Sequence, residues 1–136
     1  MMTDTISAML HASPAALGPD HQLLTECIRA CVECAQTCMA CADACLAEDS
    51  VADLRRCIST DLSCADICDT TGRVLSRHTG YDANLTRAVL EACVAACKAC
   101  GDECESHASM HEHCRVCAEA CRRCEQACRD LITSLG

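Results

Sequence analysis

The chain holds 18 cysteines in 136 residues, and their spacing is a pattern. Cys27, Cys31, Cys34, Cys38, Cys41 and Cys45 follow alternating steps of four and three. Cys93, Cys97, Cys100 and Cys104 repeat it, as do Cys114, Cys117, Cys121, Cys124 and Cys128, with a sparser set at Cys57, Cys64 and Cys68. Steps of three and four place side chains on one face of an α-helix, so each set is a stripe of thiols one turn apart.

Such a stripe suits some thiol chemistries poorly. Neighbours at i, i+4 have Cβ atoms about 5–6 Å apart, whereas a disulfide needs about 3.8 Å, so pairing within a stripe is strained. Inert packing by free cysteine is available, but Ala, Val or Leu would pack as well without the oxidation risk. Metal ligation fits better: two metal–sulfur bonds of about 2.3 Å in line span about 4.6 Å, which thiols one turn apart can meet. Soft thiolates select Cu(I), zinc and iron–sulfur clusters, and Cu(I) is the one at ease with two or three sulfurs. If every thiolate bridges two ions and every ion takes two thiolates, the stripes hold on the order of 18 Cu(I). Zinc prefers four ligands and needs fewer ions or far more bridging. Iron–sulfur loops with their Pro are missing. The C-x-x-C pairs, Cys31/Cys34 among them, are half of the helical repeat when no βαβ pattern surrounds them. With no nucleophile–base or paired-carboxylate constellation, the reading is a metal store and not an enzyme. A zinc reservoir and a thiol redox buffer stay open as alternatives.

Other ligand types gather near one end of the stripes. In HASMHEH, His107, Met110 and His111 share the phase of the cysteines and His113 lies just off it. They are either copper ligands at a mouth or solvated loop residues, and phase ranks His111 and His107 ahead of His113. Asp61 falls on the face of Cys57, Cys64 and Cys68. A carboxylate there either coordinates something or reaches solvent on a rotated helix.

The elements that must position these residues are four helices, over roughly 20–48, 51–78, 83–106 and 110–134. Pro19 with Asp20 opens the first, Ser50 with Asp53 and Ser109 with Glu112 resemble capping boxes, and Gly80 stops the second before Asp82 or Asn84 starts the third. Short links make neighbours antiparallel. The expected fold class is all-α: an antiparallel up-down-up-down four-helix bundle with a cysteine-lined core, at residues 19–136, after a short helical N-terminal segment at 1–18. Leu24, Leu75, Val89, Leu90, Leu131 and Leu135 extend the seams into an aliphatic plug; Cys45, Cys57, Cys104 and Cys114 mark the opposite, open end. A second stripe, Ile28, Val32, Ala35, Met39, Ala42 and Leu46, is buried within the bundle or covered by the N-terminal segment or another subunit.

Composition narrows the setting. There is no Trp or Phe and one Tyr, so cysteine takes the place of large core residues. No run of about 18 apolar residues is present to span a membrane. A net charge of −9 disfavours nucleic acid and acidic membrane surfaces. No Lys or Arg precedes Arg29, so no secretory n-region is read and the thiols are expected reduced in the cytoplasm.

With the cysteine arrays CIRACVECAQTCMACADAC, CVAACKACGDEC and CRVCAEACRRCEQAC in place, the chain resembles the bacterial four-helix-bundle copper storage proteins, cytosolic branch, over residues 20 to 132. The resemblance implies several Cu(I) ions per chain held along the interior, loading through a His/Met-bearing open end, and a homotetramer, with a copper chaperone or efflux protein as a further partner. It carries a metal role onto the 18 cysteines and onto Asp61, His107, Met110, His111 and His113. One departure is that the second helix has only three cysteines, which leaves Asp61 beside an incomplete ladder.

Overall fold

The computed structural model describes residues 2–135. A short helix, α1 (Met2–Ala12), precedes four long ones: α2 (His21–Leu46), α3 (Arg55–Leu75), α4 (Ala83–Glu105) and α5 (Glu112–Leu135), with a 3₁₀ turn at Val51–Leu54. No strand occurs among the described residues. Each long helix packs against two of the others, α2 on α3 and α5, α4 on α3 and α5. Thiol contacts report the directions: Cys27 meets Cys128 while Cys38 meets Cys117, and Cys57 meets Cys104 while Cys68 meets Cys93. The bundle is therefore up-down-up-down.

Local chemistry sets most of the boundaries. The Asp20 carboxylate accepts from the Leu23 N–H at 3.0 Å and caps α2, and Asp82 accepts from Asn84 and Leu85 to cap α4. Gly80 takes the left-handed φ of 69° in the turn between α3 and α4, a conformation that suits a residue without Cβ. Two expected capping boxes do not form. Ser50 makes no side-chain cap bond, because the chain turns tightly through Val51–Leu54. The last helix starts at Glu112, whose carboxylate binds Arg115 and does not reach back to Ser109. α3 also ends at Leu75, three residues short of the expected 78, where the Ser76 and Arg77 N–H groups turn back onto Arg73 and Val74 carbonyls.

The core is a column of sulfur. All 18 cysteines are buried. At one end Leu24, Leu75, Leu90 and Leu131 are fully buried and close the column; Val89 and Leu135, expected with them, are half-buried. The N-terminal segment seals that end from outside. Leu10 is buried in the core and Ile6 packs against it, the rings of His11 and His21 lie 3.8 Å apart, and a Cβ on Gly18 would fall 2.4 Å from the Tyr81 ring. Along the second stripe Ile28 and Ala42 are buried, whereas Val32, Met39 and Leu46 are exposed. α1 covers only the Ile28 end.

Candidate metal centre

Sulfur atoms of facing helices stand 3.6 to 4.0 Å apart, from Cys68–Cys97 at 3.6 Å to Cys64–Cys97 at 4.0 Å. Pairs one turn apart on the same helix fall in that range, with Cys34–Cys38 and Cys64–Cys68 both at 3.8 Å. These gaps are far longer than a disulfide bond of about 2.0 Å. They match the spacing of thiolates around one ion, since bonds of about 2.3 Å separate sulfurs by about 4.0 Å in a trigonal site and about 3.8 Å in a tetrahedral one.

The thiols also converge in sets of four. Cys31, Cys93, Cys124 and Cys128 form one; Cys34, Cys68, Cys97 and Cys124 the next; then Cys34, Cys38, Cys64 and Cys121, and Cys38, Cys100, Cys117 and Cys121. Each set shares cysteines with the next, so these four form one continuous ladder. A further set, Cys41, Cys45, Cys57 and Cys114, lies at the open end.

Asp61 joins the ladder to the open end. It is fully buried, with Oδ1 3.0 Å from Cys100, 3.3 Å from Cys104 and 3.3 Å from Cys117, and Oδ2 3.8 Å from Cys57. The solvent-facing alternative is thereby ruled out. Burial pushes its carboxyl up to about 7, although the hydrogen bond from Cys100 pulls the other way.

At the mouth, burial pushes the Cys114 thiol up to about 11 and raises Cys45. Deeper in, thiols hydrogen-bond to one another. Cys34 is pushed down chiefly by the bond with Cys121 and Cys117 by the bond with Cys100, while Cys97 is pushed up chiefly by Cys124.

The histidines sit where the turn after α4 meets α5, and their order differs from the one that phase gave. His113 comes nearest the thiols: Nδ1 is 3.4 Å from Cys41 Sγ and 3.6 Å from Cys114 Sγ. His111 is largely buried beside Glu48, at 3.0 Å, and His107 pairs with Glu103 at 3.0 Å. Met110 is exposed. Distance to the thiols does not follow helical phase here, because residues 107–111 form turns closed by His107 and Cys104 carbonyls, where the 3.6-residue period does not run. Glu48 and Glu103, which hold these imidazoles, were missed: nothing local marks Glu48, which meets His113 65 residues away, whereas Glu103 stands at the i, i+4 spacing from His107 that favours such a pair.

Comparisons with known proteins agree on one family. Residues 20–133 match the copper storage protein family. The chain is 62% identical to the copper storage protein Ccsp from Streptomyces lividans loaded with 10 copper equivalents; the match covers 95% of this chain and 98% of that one, with a TM-score of 0.93. It is 35% identical to the Cu(I)-bound copper storage protein BsCsp3, over 78% of this chain and 94% of that one, at a TM-score of 0.70. It is also 36% identical over 85 residues to the uncharacterized cysteine-rich protein YhjQ of Bacillus subtilis, covering 62% of this chain and 75% of that protein.

Proposed function

The chain belongs to the copper storage protein family, and we propose that it stores many Cu(I) ions on its 18 thiols, loaded through the histidine-bearing end, in the cytoplasm. The observation that carries this reading is the sharing of Cys34, Cys38, Cys121 and Cys124 between successive sets. Sets that share thiols cannot fill as independent four-coordinate sites. They fill when thiolates bridge ions of lower coordination number, which is the preference of Cu(I) among sulfur-binding ions.

Charge points the same way. One Cu(I) per thiolate leaves the column neutral, whereas a zinc ion with four unshared thiolates leaves two negative charges in a core that cannot solvate them. The sets of four do match a tetrahedral sulfur spacing, and that geometry favours a zinc reservoir as the second reading. Titration of the reduced protein without oxygen, by Cu(I) in competition with a chromophoric chelator, tests both. Uptake on the order of one Cu(I) per thiol is expected. Saturation at one or two ions, or zinc that Cu(I) does not displace, would overturn storage.

Residues 19–136 form the binding domain in this reading, with residues 1–18 as its closure. Asp61, His107, Met110, His111 and His113 serve at or near the mouth, His113 and Asp61 closest to thiols. The role is storage and not catalysis. The exposed apolar residues of α2 and α3 support a homotetramer, and a soluble copper carrier or efflux protein is the partner that delivers or collects the metal. No described helix is long and apolar enough to cross a membrane.

A further inference from the structure

Glu48 lies in the turn after α2, where its N–H donates to the Cys45 carbonyl and its own carbonyl accepts from Val51, both at 3.2 Å. From this pinned backbone a single carboxylate oxygen, Oε2, reaches two imidazoles across the mouth: His111 Nδ1 at 3.0 Å and His113 Nε2 at 2.9 Å. The two rings stand nearly parallel with centroids 5.5 Å apart.

An ionised carboxylate only accepts hydrogen bonds. His113 Nε2 therefore donates to Oε2 in a hydrogen bond, and His111 Nδ1 faces the same oxygen in an ion-pair contact at 3.0 Å, where a lone pair would be repelled and a proton is favoured. A neutral imidazole carries one N–H and one lone pair. The lone pairs are then fixed on the other two nitrogens, His111 Nε2 and His113 Nδ1. His113 Nδ1 is the atom that stands 3.4 Å from Cys41 and 3.6 Å from Cys114. His111 Nε2 is buried with no hydrogen-bond partner among the described residues. A buried acceptor left unpaired is costly, and its retention is explained if a metal ion is what it accepts.

We propose that Glu48 is the positioning residue of copper uptake: it holds the proton of His111 on Nδ1 and that of His113 on Nε2, keeping both lone pairs free for Cu(I) at the mouth. The proposal rests on the reading that Cu(I) loads there. A carboxylate behind a ligating histidine fixes its tautomer and raises its basicity. His111 is the diagnostic ring, because an unconstrained histidine favours the Nε2–H form, the opposite of what Glu48 imposes. Both contacts, the hydrogen bond from His113 and the ion-pair contact of His111, converge on one oxygen, so an amide oxygen with two lone pairs can replace it without the charge.

Imidazole ¹⁵N correlation spectra of the reduced, metal-free protein test the assignment, with Cu(I) uptake from a chromophoric chelate followed in parallel. Wild type should show His111 as Nδ1–H and His113 as Nε2–H. Glu48→Gln should keep both tautomers and uptake close to wild type. Glu48→Ala should return His111 toward Nε2–H and slow uptake by about ten-fold. A wild-type His111 protonated on Nε2 overturns the proposal whether or not the alanine variant folds. So does a Glu48→Gln protein that keeps the tautomers but loads as slowly as Glu48→Ala, since charge would then be the cause. A wild type that saturates at one or two Cu(I) overturns the storage reading instead, and the spectra still decide the tautomers.

Discussion

Asp61 destabilises the metal-free bundle in its ionised form, because a carboxylate enclosed by Cys57, Cys100, Cys104 and Cys117 has lost its water. Its pKa rises from the ordinary 3.8 to about 7. Between those values the folded protein holds a proton that the unfolded chain has released, so raising the pH favours unfolding, by at most about 1.4 kcal/mol per pH unit. Denaturant midpoints of the metal-free protein should therefore fall from pH about 4 to about 7, and Asp61→Asn should flatten that slope. Equal slopes in both proteins would overturn the account. The sequence carried part of this site openly. Positions 57, 61, 64 and 68 share a helical face, which marked Asp61 as a seam residue, but the rotation of α3 that buries it depends on how it packs against α2 and α4. His113 was harder to read: it precedes Cys114 and so stands about 100° round the helix from it, yet its ring leans over Cys41 of α2.

Among the elements, the helices with side-chain caps were legible and the tight turns were not. Asp20 and Asp82 cap as their types suggest, since each faces free N–H groups at the start of a long helix. The Ser50 and Ser109 boxes failed because short links must reverse the chain within a few residues, and 3₁₀ and single turns do that with backbone hydrogen bonds. That exchange has a functional side, for the turn after α2 is what holds Glu48 in reach of the histidines. The N-terminal closure depends on a different fit. Gly18 lies against the ring of Tyr81, and a Cβ there would come within 2.5 Å of three ring carbons. Gly18→Ala should push the segment away from the bundle at a local cost of about 1–3 kcal/mol. Hydrogen exchange checks this: amides of α1 should lose protection while those of α2 to α5 keep theirs. Unchanged protection in α1 would mean that the segment is not held by that contact.

For the whole molecule, a sulfur column capped by leucine has two consequences that reach beyond one chain. The first is thermodynamic. Copper binds ligands that only the folded bundle brings together, so loading should raise the melting temperature progressively with each equivalent of Cu(I), as scanning calorimetry would record. The metal-free protein should nonetheless be largely helical by circular dichroism, because Leu24, Leu54, Leu75, Leu90 and Leu131 are fully buried and supply a core that does not depend on thiol ligation. The second concerns assembly. Along α2 and α3, Val32, Met39, Leu46 and Leu62 are 37 to 61% exposed, and a groove of about 370 Å³ is lined by Val32, Ala35, Met39 and Ala65, with Gln36, Asp66 and Asp69 beside them. α1 stops short of it. An apolar face of this kind along paired helices is stabilised by contact with the same face of another copy. Each chain carries −9, so assembly should tighten as salt screens the repulsion between copies. Replacing Met39 and Leu62 together by Glu puts like charges on that face. Light scattering should then show a smaller species than the wild type forms, with helicity and copper capacity per chain unchanged, because neither side chain belongs to the thiol column. A wild type that is monomeric at micromolar concentration, or a double variant that assembles as the wild type does, would assign the stripe to another role.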